Sequence, residues 1–130
     1  MVAFLNPPGV HTPVGTYSHT ATVPGGTELL FISGQVGVRP DGSTPTTIAE
    51  QAEQVFANMS ALLGAHGVDA TALVKLTMFV VAGQDLQSVR VARTKFLGSH
   101  RPASTAVFVP GLVDPALLVE VEAVAAKQKA

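Results

Sequence analysis

The sequence predicts a single α+β domain with elements in the order ββαβαββ. Its 130 residues fit one domain at roughly 100 to 200 residues each. Two segments repeat apolar residues at helical spacing, and five others alternate or run apolar between Gly- and Pro-rich breaks. No internal repeat and no low-complexity linker divides the chain, so 1–130 is expected as one domain, with residues 1–16 as an irregular arm.

Tyr17 to Val23 alternates weakly, and Pro24-Gly25-Gly26 is a turn signal before the apolar run Glu28 to Val38. That pattern predicts a hairpin whose second strand is buried. Arg39-Pro40-Asp41-Gly42 breaks the strand. Thr47-Ile48-Ala49-Glu50 then has capping-box spacing, in which the first and fourth side chains satisfy free backbone donors at a helix start. Ile48, Ala52, Val55, Met59, Leu62 and Leu63 form one apolar stripe, and Gly67 is placed to end the helix. Ala72 to Ala82 reads as a strand from its Val, Thr and Phe content. Asp85 is the N-cap of a second helix with Leu86, Val89, Phe96 and Leu97 inward, ended by Gly98 and Pro102. Ser104 to Val109 and Leu117 to Ala125 are the last two strands, with Pro110-Gly111 and Asp114-Pro115 as turn residues between them.

Hydrophobic residues make up 47% of the chain and charged residues 13%, the latter well under the usual share of about 25%. Two helices cover one face of a sheet of five or more strands, so the other face is expected to meet a neighbouring subunit. The net charge of −1 provides no field for a polyphosphate, and nucleic acid is not expected as a partner. With no cysteine, disulfides, thiolate metal sites and a Cys nucleophile are excluded. The first 27 residues carry no Asp, Glu, Lys or Arg and are interrupted by Pro7, Pro8, Pro13 and Pro24. Neither a signal peptide nor a membrane span is expected, and the cytoplasm is the default location.

Among chemistry-bearing residues, Glu120 and Glu122 share one side of the last strand, opposite Val119, Val121 and Ala123. A carboxylate on so apolar a strand either pairs with a cation or a backbone donor, or stands at a wet cleft where its proton is used. Arg90 and Arg93 lie one turn apart on the second helix and Arg101 follows its end, a set that either converges on a small anion or forms a solvated helix face. His11, His19, His66 and His100 lack metal-ligand spacing, so no metal is expected. His19 points to the same strand side as Tyr17 and either lines a pocket or is surface. Ser33 precedes Gly34 within a strand, away from any nucleophile elbow. Gly34 marks a bulge or a close approach to the backbone. No phosphate loop or dinucleotide fingerprint occurs, so no cofactor is expected.

Gly15-Thr16-Tyr17-Ser18, Phe31-Ile32-Ser33-Gly34-Gln35-Val36, Leu73-Val74-Lys75-Leu76-Thr77-Met78-Phe79-Val80 and Val119-Glu120-Val121-Glu122-Ala123-Val124-Ala125 together resemble the Rid/YjgF family of small enamine/imine deaminases. The resemblance runs from about Gly15 to Ala125. It implies a chorismate-mutase-like α+β domain, with helices on one face of a mixed sheet, that forms homotrimers with a ligand site in each cleft between subunits. It also implies a site in which an Arg of a Pro-Ala-Arg motif holds the carboxylate of a 2-imino acid. A Glu of the last strand then positions or activates water for attack at the C=N carbon.

Tyr17, Gly34 and Glu120 match the family's pocket positions, with Ser33 beside them. The chain departs at Pro102-Ala103-Ser104, where Ser104 occupies the arginine position, and also has Arg90 where the deaminases commonly have Asn and Ala106 where many have Cys. Replacing a bidentate guanidinium by one hydroxyl costs roughly 2 to 5 kcal/mol for a partly buried carboxylate. Ordinary 2-imino acid deamination is therefore not expected, and Arg90 is placed to supply the cation from another wall. The expected function is hydrolysis of a different enamine or imine, with Glu120 handling the proton and Tyr17, Ser33, Gly34, Arg90, Ser104 and Ala106 contacting a small-molecule substrate. A non-catalytic metabolite-binding or regulatory trimer is the second reading, and a ribonuclease the third.

Overall fold

The computed structural model describes residues 1–128. Its elements are β1 (Ala3–Leu5), β2 (Thr20–Thr22), β3 (Glu28–Val36), α1 (Ile48–Ala65), β4 (Leu73–Val81), α2 (Leu86–Leu97), β5 (Ala103–Val109) and β6 (Val119–Lys127). Among the described residues, a four-stranded mixed sheet runs β3-β6-β4-β5, with β4 and β5 parallel and the other pairs antiparallel. The parallel pair follows from the α2 crossover, since parallel neighbours need a long connection.

Both helices lie on one face, as their apolar stripes require. Ile48, Ala52, Val55, Met59 and Leu63 of α1 and Val89 and Leu97 of α2 are buried, whereas Leu62 is 37% exposed. They pack with Leu76, Met78 and Val80 of β4 and Val119, Val121 and Ala123 of β6. Thr47 caps α1 as its spacing predicts: its hydroxyl accepts the Glu50 N–H at 3.2 Å and pairs with Glu50 Oε1 at 2.9 Å.

The N-terminal region differs from expectation. The arm foreseen as irregular contains β1, and the Tyr17–Val23 strand shrinks to Thr20–Thr22. Across the Pro24-Gly25-Gly26 turn, β2 pairs antiparallel with β1, while β3 pairs with β6, so the expected hairpin does not form. The order becomes βββαβαββ, and the main sheet has four strands instead of five or more. Nor is β3 buried throughout: Phe31 is 73% exposed on the side away from the helices. β6 takes the inner place, between β3 and β4. The short ribbon stays attached to the sheet margin through Ser18, which bridges Ala103 and bonds both Pro102 and Arg101 carbonyls.

Candidate active site

In-register residues on neighbouring strands share a face. Glu120 lies opposite Phe79 on β4, which lies opposite Val107 on β5. This row belongs to the face without helices, and Glu122 with Thr77 and Thr105 forms the next row. The two carboxylates line an open cleft of about 510 Å³ with Phe79, Val109, Gly111, Leu112 and Val113. Among the described residues neither carboxylate has a hydrogen-bond or ion-pair partner, the one ion pair being Arg39–Glu50.

Gly34 explains the position of Glu120. The β3–β6 register shifts between Ile32 and Gln35, as the glycine predicts, and the bulge brings the Gly34 backbone onto the Glu120 side chain. A Cβ built on Gly34 would lie 2.8 Å from Glu120 Cδ and closer still to Oε2. Ser33 is exposed beside the bulge, where its carbonyl accepts from Gln35 Nε2 at 3.0 Å.

The loop between β5 and β6, part of which lines this cleft, is moored from the helix layer. Gln51 of α1 is fully buried, and its Nε2 donates to the Pro45 and Ala116 carbonyls at 2.9 and 2.8 Å. Its Oε1 accepts the Leu118 N–H at 2.8 Å. One side chain thus fixes the approach to α1 and the loop between β5 and β6. Sequence reasoning missed it because an amide on a helix carries no burial signal; the only available hint was its place in the first turn beside the capping box.

The remaining predicted residues lie elsewhere in the chain. Ser104 and Ala106 pair in register with Leu76 and Met78, so they occupy the helix side of β5, across the sheet from Glu120. The Tyr17 hydroxyl accepts the Val14 N–H at 3.3 Å, and its ring meets His19 edge-on at 5.6 Å. His19 also packs edge-on against His11 and contacts the His11 carbonyl through Nε2 at 2.7 Å. Arg90 and Arg93 share a second cleft, between α2 and the Val14–Thr16 segment. Arg101 does not join them: its Nη1 donates to the Gly98 and His100 carbonyls at 2.6 and 3.0 Å, closing the end of α2. Within this chain the structure therefore brings Glu120 to Gly34 and Glu122, and leaves Tyr17, Arg90, Ser104 and Ala106 outside that cleft. Among the described residues no group of three His, Cys, Asp or Glu is placed to hold a metal ion, and no helix is long and apolar enough to cross a membrane.

Comparison with known proteins adds an independent line. The family profile described as Endoribonuclease L-PSP matches residues 9–127. The chain is 32% identical to Protein HMF1 of Saccharomyces cerevisiae over 117 residues, 87% of this chain and 85% of that protein. It is likewise 32% identical to the 2-iminobutanoate/2-iminopropanoate deaminase of Homo sapiens over 114 residues, 86% of this chain and 80% of that one. Among solved structures, a protein of unknown function of the conserved Rid family, YyfB from Yersinia pestis, superposes with a TM-score of 0.84 at 26% identity, covering 95% of this chain and 97% of that one.

Proposed function

The chain belongs to the Rid/YjgF (Endoribonuclease L-PSP) family, whose members include named imine deaminases, and on that premise we propose that it hydrolyses an enamine or imine metabolite other than the ordinary 2-imino acids. The observation that carries the reading is the unpartnered Glu120 carboxylate on the Gly34 bulge, in an open cleft, combined with Ser104 in place of a guanidinium.

Water enters beside Glu120, which takes a proton as the oxygen attacks the C=N carbon. The same carboxyl then returns the proton to nitrogen, and collapse of the carbinolamine releases ammonia and the carbonyl product. Such proton transfer is worth about 10²- to 10⁴-fold. A homotrimer completes the site: its cleft joins the Glu120 face of one subunit to the Tyr17 and Ser104 region of another. The uncovered sheet face with Phe31 supports this assembly, since an apolar patch of that kind is rarely left bare.

The test is ammonia release from imines generated in situ, 2-imino acids by an amino acid oxidase and imines without the carboxylate by an amine oxidase, with sedimentation to count subunits. Turnover of an imine lacking a 2-carboxylate, lost by about 10²-fold or more in Glu120→Gln, is the expected outcome, and Ser104→Arg is expected to confer activity on 2-iminopropanoate. Rapid turnover of 2-iminopropanoate by the native protein refutes the substrate assignment. Ligand binding with no turnover of any imine identifies a non-catalytic metabolite-binding protein instead.

A further inference from the structure

Arg93 is only 7% exposed, although its spacing from Arg90 is compatible with a solvated helix face. Its Nη2 donates to Thr16 Oγ1 at 2.7 Å. Its Nε is the one buried side-chain nitrogen or oxygen among the described residues without a hydrogen-bond partner. No carboxylate pairs with it among the described residues. Burial pushes its pKa below the ordinary arginine value, and the positive charges of Arg90 and Arg101 push the same way. Arginine nevertheless stays protonated in proteins, so a buried cation stands here uncompensated. Such charges are normally paired or coordinate something.

Arg93 borders a cleft of about 600 Å³, lined also by Thr16, Gln87, Arg90, Thr94 and Lys95 and by no acidic residue. It thus offers two further cations, two hydroxyls and an amide around one planar fork of donors. We infer that this cleft between α2 and the Val14–Thr16 segment binds a small oxyanion, a carboxylate or a phosphate, with Arg93 as the central ligand and Arg90 as the outer one. A guanidinium suits this task because its fixed donors match the oxygens of either group. The site lies in the helix layer and requires nothing of the Glu120 chemistry.

Isothermal calorimetry on the full chain tests it, with pyruvate and inorganic phosphate as separate probes up to ~10 mM at constant ionic strength, a range that detects millimolar affinity. Saturable binding of either is expected, pyruvate alone marking a carboxylate site and phosphate alone a phosphate site. Arg93→Met is expected to weaken it at least tenfold, and Arg90→Ala severalfold. The urea midpoint of ligand-free Arg93→Met should equal or exceed that of the native chain, because an uncompensated charge leaves the interior. If Arg93→Met does not fold, Arg90→Ala decides, since that exposed position leaves the fold intact. No saturable heat with either probe, or equal affinity in the native chain and the deciding variant, overturns the inference.

Discussion

Gly34 and Gly37 lie three residues apart on and just after β3, and adding one methyl group to each should have opposite consequences. At Gly34 the three atoms nearest the new Cβ all belong to the Glu120 side chain. The Cδ must retreat from 2.8 Å to at least 3.4 Å for ordinary contact, and a rotamer change accomplishes this for about 0.5 to 1.5 kcal/mol. The loss is offset by about 0.4 to 1 kcal/mol from a stiffer unfolded chain. At Gly37 the Cβ would lie 2.7 Å from both Cα and Cβ of Gln51, and a helix backbone held on the sheet has no comparable escape. Overpacking of that kind costs about 1 to 3 kcal/mol.

Urea unfolding should therefore leave Gly34→Ala within about 1 kcal/mol of the native chain and lower Gly37→Ala by the full overpacking cost. Turnover assays should invert the order. A carboxyl displaced by more than half an ångström loses about ten- to a hundredfold in any reaction that uses it. Equal destabilisation of the two variants, or a Gly34→Ala protein with undiminished Glu120-dependent turnover, would refute the assignment of Gly34 as the residue that seats the carboxylate.

Two further predictions concern stability. Gln51→Leu leaves the Pro45 and Ala116 carbonyls and the Leu118 N–H without their partner, and should lower unfolding free energy by about 2 to 4 kcal/mol in urea titrations. Asp69 accepts from the Thr71 hydroxyl and N–H, which together hold its carboxyl below the ordinary aspartate value. Because the folded-state pKa is the lower one, this contribution is complete above the unfolded value of about 3.9 and is lost as pH falls through the folded value. The difference in urea midpoint between native and Asp69→Asn should thus be present at pH 7 and shrink steadily below about pH 4.

The helices and β4, β5 and β6 were legible because their apolar residues recur at 3.6 or 2 positions and burial enforces those periods. The β1–β2 ribbon was not. Three-residue strands in a charge-free, proline-rich segment establish no period, and their pairing depends on contacts between Ala3 and Thr22 that no local rule encodes. In the candidate site, strand alternation placed Glu120 and Glu122 together, and the missing side chain of Gly34 announced a close approach. Gln51 escaped notice, and the burial of Arg93 was not foreseen, because both are polar residues on helices, where polarity ordinarily means solvent. The separation of Ser104 from Glu120 by the thickness of the sheet follows from the register of β5 on β4, which is a non-local property.

The reach of Gln51 through the fold bears on the timing of assembly. The loop between β5 and β6, which lines the Glu120 cleft through Gly111, Leu112 and Val113, is tethered only once α1 has docked and the Gln51 amide has found Ala116 and Leu118. The cleft around Glu120 should be among the last regions to acquire native order during folding, and among the first to lose it when α1 loosens.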